Sequence, residues 1–215
     1  VLKVPSTPHD PSEAMLTGIH QLLGELGIQA GGVKRVVHGT TVATNAVLER
    51  KGARTGIIAT RGFKDVLEIG RQIRSAVYEL QLRPETPIFL APGARRVEVA
   101  ERVTADGEVL IPLQDDNVEA ALATLVEQGV EAIAVSLLFS FLHPAHEERI
   151  RAIAKARYPH LHVSLSSEVD PAFREYERVV ATAFDAYTKP VLTEYLTRIQ
   201  TRLADAGIRA PLQVM

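Results

Sequence analysis

The chain has 215 residues, of which 46% are hydrophobic and 23% are charged, and its formal net charge is −2. It contains no cysteine, which excludes disulfide bonds, thiolate nucleophiles and zinc–thiolate sites. The near-neutral charge argues against nucleic acid or a membrane surface as a partner, and no apolar run is long enough to cross a bilayer.

The N-terminal segment predicts one helix with clear start and stop signals. Asp10 is a helix-capping residue, Pro11 suits the first helical position, and Gly27 ends the pattern. Residues 1–8, before this helix, have the pattern of the end of a strand. Apolar residues recur at helical spacing and predict a buried stripe formed by Met15, Leu16, Ile19, Leu22, Leu23 and Leu26.

Residues 33–50 predict a strand, a tight turn and a helix that ends near Gly52. Such a turn directs backbone N–H groups toward one point, where an anion is stabilised. The alternative is a capped, half-buried helix whose threonines bond to their own carbonyls, and the sequence leaves both interpretations open. The candidate binding residues of this segment are His38, Gly39, Thr40, Thr41, Thr44 and Asn45.

The middle of the chain predicts a second strand and a long insertion. Residues 54–60 form the strand, and a short helix follows it. Residues 71–113 then hold an irregular, proline-rich excursion and a two-stranded β-ribbon. The ribbon pairs 95–103 with 108–112 through an Asp-Gly turn. Arg71, at the start of the excursion, could reach an anion.

The second half of the chain alternates helices with strands. An amphipathic helix over 114–128 leads to an apolar run at 130–139, which is typical of a strand covered on both faces. A further helix ends at Arg157, and a strand follows it. A long helix then begins at Pro171 and is interrupted at Pro190, because proline lacks the N–H that a helix needs.

This order of elements predicts an α/β fold with a mostly parallel sheet flanked by helices and a β-ribbon insertion. In such sheets, ligands bind beyond the carboxyl ends of the strands. We therefore expect the loops at 38–41, 61–62 and 166–170 along one edge, with Glu168 in the last loop. The long helix carries a polar stripe that is typical of a solvated face, formed by Glu175, Arg178, Thr182, Asp185 and Lys189.

No metal site is predicted. His143 and His146 lie three residues apart at a helix start, without a third ligand at a fixed spacing. Histidines in that position are more typical of helix capping or of the protein surface.

Three blocks of sequence resemble one family. Residues 38–46 are His-Gly-Thr-Thr-Val-Ala-Thr-Asn-Ala, and Glu-Arg-Lys-Gly-Ala follows at 49–53. The second block is 60–72, and the third combines 166–169, 173–178 and 186–190. In this order the blocks resemble the hydantoinase A/5-oxoprolinase family, which also contains acetone carboxylase subunits. The similarity extends over essentially the whole chain.

The resemblance implies an actin-like, ribonuclease-H-like ATPase subdomain in a cytoplasmic enzyme. Such enzymes use ATP and Mg²⁺ to activate an amide or ketone carbonyl. The resemblance also implies that residues 1–215 form the N-terminal region of a longer protein, without its first phosphate-binding hairpin and its C-terminal ATPase lobe. The hairpin motif Asp-x-Gly-Gly-Thr-x-Thr-Asp has no match here, so this region alone is expected to be inactive. Asp185 stands where the family usually has Asn.

Three functions remain open from the sequence. The resemblance favours an enzyme that hydrolyses a hydantoin, an N-methylhydantoin or 5-oxoproline, and the alternatives are a subunit of a ketone carboxylase and a non-catalytic binding domain. The expected partners are a small-molecule substrate, the C-terminal lobe and a hydantoinase B-type subunit. Glu168 and Glu175 are the candidate catalytic carboxylates. Arg71, Arg174 and Arg178 join the residues of 38–45 as candidates for substrate or nucleotide binding.

Overall fold

The computed structural model describes residues 1–7, 10–73, 78, 86–87 and 89–215. These residues form two compact units, Val1–Leu48 with Val191–Met215 and Glu49–Pro190. The helices are α1 (Pro11–Leu26), α2 (Val42–Leu48), α3 (Val66–Ile69), α4 (Asp115–Glu127), α5 (Ala145–Arg157), α6 (Ser166–Val169) and α7 (Glu175–Asp205). The strands are β1 (Val36–His38), β2 (Thr55–Thr60), β3 (Arg96–Val99), β4 (Arg102–Val103), β5 (Val109–Ile111), β6 (Ala132–Ser136), β7 (His162–Leu165) and β8 (Leu212–Val214). Within the described residues, no helix has the length and apolar character to span a membrane.

The predicted start and end of α1 are confirmed. The Asp10 carboxylate accepts a hydrogen bond from the Ser12 backbone N–H at 3.1 Å, and Gly27 ends the helix in the left-handed conformation with φ of 65°. The predicted stripe is only partly right, because Leu22 and Leu26 are exposed. Residues 1–7 form no strand, contrary to the prediction.

The first unit has a small core formed by α1 and the C-terminal part of α7. Tyr195, Ile199, Leu203 and Ile208 are buried in it, with Met15, Leu16, Ile19 and Leu23 packed against them. The strands β1 and β8 pair in parallel, from Val36 opposite Leu212 to His38 opposite Val214. The helix α2 ends at Leu48 and is therefore shorter than the pattern predicts.

The second unit contains a four-stranded parallel sheet in the order β3-β2-β6-β7. The strand β6 is central and almost wholly buried, as its apolar run predicts. The helices α4 and α5 pack against the sheet, with Leu122, Leu125 and Ile150 in the core. The mostly parallel sheet flanked by helices is confirmed.

The prediction that 95–103 forms one strand of a ribbon is right only for Arg102–Val103. The strand β3 instead extends the main sheet beside β2, from Ile57 opposite Arg96 to Thr60 opposite Val99. Only β4 and β5 form the antiparallel ribbon. The chain leaves the sheet at Ala100, whose N–H donates to the Asn117 side chain at 3.3 Å. Part of the predicted excursion, at 74–77, 79–85 and 88, lies outside the described residues.

The helix α7 begins at Glu175 and not at Pro171. It then continues through Pro190, contrary to the predicted interruption. A helix tolerates proline when the carbonyls that lose their helical partners find other donors. The N–H that Pro190 lacks would have donated to the Ala186 carbonyl. The neighbouring Tyr187 carbonyl accepts a hydrogen bond from the Ala53 N–H at 2.9 Å.

The buried face of α7 also differs from the predicted one. Phe173 precedes the helix and is 67% exposed. On α7, the residues that are buried in the second unit are Val179, Ala183, Ala186 and Tyr187, together with Arg178 and Thr182 from the polar stripe. A polar stripe that sequence reasoning assigns to solvent is therefore partly internal.

The three loops predicted to share one sheet edge do not all do so. The loop at 61–62 follows β2, and residues 166–170, predicted to be a loop, begin with the helix α6 directly after β7. The strands β2 and β7 belong to the same parallel four-stranded sheet. The loop at 38–41 follows β1, which pairs with β8 in a sheet of its own. We therefore describe these loops as two separate candidate regions.

Candidate functional site

The first candidate region is the connection from β1 to α2, which we call the elbow (residues 38–45). The Thr40 hydroxyl accepts a hydrogen bond from the Val42 N–H at 3.3 Å and so caps α2, in keeping with the capped helix that the sequence leaves open. Two backbone hydrogen bonds fasten the turn to the end of the chain, from Thr40 N–H to the Met215 carbonyl at 3.1 Å and from Met215 N–H to the His38 carbonyl at 3.0 Å. The elbow is therefore fixed at both sides of Gly39.

The His38 side chain is half-buried and hydrogen-bonded. A ring nitrogen of His38, Nε2, lies 2.8 Å from the Tyr195 hydroxyl, and the two rings are tilted with centroids 5.8 Å apart. Burial lowers the pKa of His38 below its ordinary value of 6.5. The imidazole is therefore neutral at physiological pH and can exchange a hydrogen bond with Tyr195 in either direction.

The polar side chains of α2 are exposed. Thr41, Thr44 and Asn45 all lie on the solvent-facing side, whereas Ala46 is buried. The Asn45 side-chain amide donates weakly to the Thr41 hydroxyl at 3.4 Å. The structure thus places exposed hydroxyl and amide groups side by side on α2, and their role in ligand binding remains a prediction.

The second candidate region lies at the carboxyl ends of β6 and β7, where a buried cation and a buried anion share partners. The Arg178 guanidinium is fully buried and donates to the carbonyls of Leu137 and Ala172 at 2.9 and 2.8 Å and to the Ser166 hydroxyl at 3.2 Å. Burial is the main cause that lowers the pKa of Arg178. All three nitrogens of the guanidinium therefore have partners within the chain.

Glu147 is the buried anion of this region, and it holds α6 in place. One carboxylate oxygen accepts from the Leu137 N–H at 2.9 Å and from the Ser166 hydroxyl at 2.7 Å. The other accepts from the N–H and the hydroxyl of Ser167 at 2.9 and 2.7 Å. Four donors thus converge on one fully buried carboxylate, which fixes the start of α6 relative to β6.

A second buried carboxylate, Glu101, joins β2 to α5. It accepts a hydrogen bond from the Thr60 hydroxyl, and its other oxygen lies 2.8 Å from His146 Nδ1. The Thr60 hydroxyl also accepts from the Leu138 N–H at 3.0 Å. His146 is therefore a partner of a buried acid.

The remaining predicted site residues lie at the surface of the second unit. Glu168, on α6, pairs with Arg151 at 2.6 Å. Arg71 donates to Glu177 at 2.7 Å, which lowers the pKa of that carboxyl group. Arg174 is exposed and lies over the Phe173 ring at 5.5 Å. The half-buried Glu175 borders a narrow cleft beside β2 and β6 that Arg178 also lines.

Sequence reasoning missed both buried carboxylates. Glu147 follows a helix start in a charged stretch, and Glu101 occupies a position of a predicted ribbon where a solvated side chain is usual. The one available signal was indirect, because a run of serines at 166–167 directly after a buried strand offers hydroxyl donors that need an acceptor. The acceptor itself comes from another part of the chain.

Comparison with known sequences finds the same group of relatives in each case. The profile described as the hydantoinase/oxoprolinase N-terminal region matches residues 1–158. The caprolactamase subunit alpha of Pseudomonas jessenii is 34% identical over 98% of this chain, which covers 31% of that subunit. The 5-oxoprolinase 1 of Arabidopsis thaliana is 32% identical over 95% of this chain, which covers 18% of that protein.

Two solved structures share the fold over 99% of the chain. The crystal structure of the ATP-dependent caprolactamase from Pseudomonas jessenii matches with a TM-score of 0.87 and 32% identity. A nucleotide-free acetone carboxylase structure matches with a TM-score of 0.84 and 25% identity. Both have an actin-like ATPase-type fold, and the chain spans 31% and 32% of their respective lengths.

Proposed function

Because the chain belongs to the hydantoinase/oxoprolinase family, we propose that it forms the N-terminal part of an enzyme that uses ATP to open a cyclic amide. The substrates we propose are a hydantoin, an N-methylhydantoin or 5-oxoproline. The observation that carries the proposal is the likeness to an ATP-dependent caprolactamase over 99% of the chain, at a TM-score of 0.87. That enzyme is named for a cyclic amide.

The chemistry explains why ATP is needed. A ring amide is a poor electrophile, and the amide nitrogen is a poor leaving group. When bound, ATP supplies a phosphoryl group that makes the carbonyl carbon reactive. The protein then has to hold the substrate and the phosphates in a productive arrangement and to exclude water from the wrong positions.

In this proposal the elbow binds the oxygen atoms of the nucleotide or the substrate. The exposed hydroxyls of Thr41 and Thr44 and the amide of Asn45 can donate to phosphate or carbonyl oxygens. Thr40 positions α2 through its cap, and His38 supports the turn through Tyr195. This donor set fits the acceptor oxygens of a nucleotide. Mg²⁺, which favours phosphate oxygens and water, would bind with ATP.

The residues of the second unit have supporting roles in the same proposal. Arg178 fixes the loop that precedes α7, and Glu147 fixes α6, which carries Glu168. Glu168 and Glu175 are the carboxylates that we propose as acid or base. Arg71 and Arg174 are exposed cations that could pair with anionic groups of a ligand.

The rest of the enzyme belongs to the proposal as well. The chain covers only 31% of the caprolactamase subunit, so we propose that the phosphate-binding hairpin and the second ATPase lobe are supplied by other parts of the parent protein. A hydantoinase B-type subunit is the expected partner. A cytoplasmic location fits an enzyme that draws on cellular ATP.

A second candidate function is an ATP-dependent ketone carboxylase. The match to an acetone carboxylase structure, with a TM-score of 0.84 and 25% identity, favours it. The two functions share the need to activate a carbonyl group, and they differ in whether water or bicarbonate is the second reactant.

The experiment that separates them uses the full-length protein with its partner subunit. Phosphate release from ATP is measured with hydantoin, N-methylhydantoin, 5-oxoproline and caprolactam, and in parallel with acetone or acetophenone plus bicarbonate. We expect a cyclic amide to stimulate ATP hydrolysis and to appear as the ring-opened acid. Stimulation by ketone and bicarbonate alone would favour the carboxylase, and no stimulation in either arm would favour a non-catalytic domain.

A further inference from the structure

Arg96 is a buried cation whose hydrogen-bonding capacity is only partly used. It begins β3, and its side chain is 6% exposed. One terminal nitrogen, Nη2, donates to the Glu68 carboxylate, and the other, Nη1, lies 3.8 Å from an Asp65 carboxylate oxygen. Among the described residues, Nε and Nη1 have no hydrogen-bond acceptor. Two buried nitrogen atoms whose N–H groups have no acceptor are costly, and native proteins rarely leave them so.

A cavity of about 350 Å³ lies beside this guanidinium. Its walls are largely apolar, with Leu67, Ala91 and Pro92 among them, and Arg96, Glu68 and Thr86 supply the polar groups. Ligand pockets in proteins have this size and this mixture of apolar wall and a few polar groups.

Because Gly93 has no side chain, one side of the Arg96 guanidinium is not covered by it. A Cβ atom built on Gly93 would lie 3.2 Å from Arg96 Nη2, which is closer than ordinary contacts. The absence of a side chain at this position leaves the polar end of the cavity open.

The charges around Arg96 favour an uncharged ligand over an anion. Glu68 and Asp65 already offset the guanidinium charge, so an added carboxylate or phosphate would be repelled by two nearby acids. An uncharged carbonyl oxygen can accept from the free N–H donors without adding charge. An amide N–H on the same ligand could donate to Glu68.

We propose that the cavity at Arg96 is a binding site for a small uncharged amide with an apolar body. The carbonyl oxygen would accept from Arg96, and the apolar part would lie against Leu67, Ala91 and Pro92. The inference goes beyond the reaction proposed above, since no residue assigned to that reaction lines this cavity.

The test compares butyramide with butyrate, which have nearly the same shape and differ in charge. Binding to the full-length protein is followed by ligand-observed saturation-transfer NMR and isothermal titration calorimetry. We expect butyramide to bind at least about tenfold more tightly than butyrate, because the acids repel the anion. Equal or tighter binding of butyrate, or no binding of butyramide, would overturn the proposal.

Three variants and one control variant locate the binding and keep the test independent of folding. Arg96→Met should abolish butyramide binding, whereas Arg61→Met, which changes an exposed arginine outside the cavity, should not alter it. Gly93→Ala should weaken it several-fold. Glu68→Gln, at an exposed position, should strengthen butyrate binding and leave butyramide within about twofold. If Arg96→Met does not fold, Gly93→Ala and Glu68→Gln decide. An unchanged butyramide affinity in Gly93→Ala together with an unchanged butyrate affinity in Glu68→Gln would contradict the proposal.

Discussion

Arg178 and Glu147 are buried opposite charges joined by a single hydroxyl group. Arg178 Nε donates to Ser166 Oγ at 3.2 Å, and Ser166 Oγ donates to Glu147 at 2.7 Å. The two charged groups thus stabilise each other without direct contact, and each also binds backbone groups of Leu137. This arrangement connects β6, α6 and the start of α7 at the carboxyl edge of the sheet.

Replacing the buried carboxylate should be strongly destabilising. In Glu147→Gln, an amide NH₂ takes the place of one acceptor oxygen, so buried donors lose their partner and Arg178 loses a nearby counter-charge. We expect the free energy of unfolding to fall by about 3–5 kcal/mol, as when one partner of a buried charge pair is removed. Urea unfolding of the variant measures this loss.

Glu148→Gln is the matched control. Glu148 is the adjacent residue on α5 and is exposed, so its replacement should change the free energy of unfolding by less than about 0.5 kcal/mol. Equal losses of unfolding free energy in Glu147→Gln and Glu148→Gln would mean that the buried hydrogen bonds of Glu147 add no stability.

Two glycines should respond to alanine in opposite directions. A Cβ atom on Gly52 would lie 2.2 Å from the buried Tyr187 ring, so Gly52→Ala forces the ring or the backbone to move. We expect a loss of about 1–3 kcal/mol in unfolding free energy. Gly24 lies within α1 with open space around it, and Gly24→Ala should add about 0.5–1 kcal/mol. Thermal and urea unfolding measure both, and a destabilised Gly24→Ala would contradict the assignment of α1.

The N-cap of α1 should contribute measurably to the stability of the first unit. Asp10 accepts from the Ser12 hydroxyl at 2.6 Å, and its second oxygen pairs with Arg202 at 2.7 Å. Asp10→Ala should cost about 1–2 kcal/mol, whereas Asp205→Ala, at an exposed acid near the end of α7, should cost less than about 0.5 kcal/mol.

The pH dependence of this cap follows from the pKa of Asp10. The Ser12 hydroxyl lowers that pKa below its ordinary value of 3.8, so the folded state holds the proton less tightly than the unfolded state. The stabilisation is present above pH 3.8 and is lost as the pH falls through the lowered pKa. If the unfolding free energy of Asp10→Ala falls with decreasing pH as steeply as that of the wild type, the Asp10 carboxylate does not contribute to the pH dependence.

The His38–Tyr195 pair should make stability depend on pH near neutrality. Burial lowers the pKa of His38, so between that lowered value and 6.5 the unfolded state binds more protons than the folded state. The free energy of unfolding should therefore be highest above pH 6.5 and should fall as the pH drops below it. Urea unfolding between about pH 8 and pH 5 measures this slope, which should diminish in His38→Gln. An identical slope in the variant would refute the assignment.

Local signals explain which elements could be predicted. The caps at Asp10 and Gly27 define α1, and the apolar run around Ile133 identifies the central strand, because each signal lies within the element itself. The burial of Arg178 could not be predicted, since its partners Leu137 and Ser166 are distant in sequence. A helical polar stripe has the same pattern whether it faces water or the polar edge of a sheet.

The same limit applies to the candidate site. The Thr40 cap could be predicted because donor and acceptor are two residues apart. The partner of His38 could not, because Tyr195 lies 157 residues further along the chain. The strand β3 was misassigned because the alternation around Val97 is the same in a ribbon and in the edge strand of a parallel sheet.

The most direct test of the proposed function is ATP-dependent ring opening by the full-length protein carrying Thr41→Val. The substitution removes an exposed hydroxyl of the elbow and keeps the size of the side chain. Thr17→Val, at an exposed position on α1, is the control. We expect Thr41→Val to lower kcat/KM by about 10- to 100-fold, the effect of losing a hydrogen bond to a charged group, while the control keeps full activity. Unchanged ring opening in Thr41→Val would contradict the assignment of the elbow as a binding site.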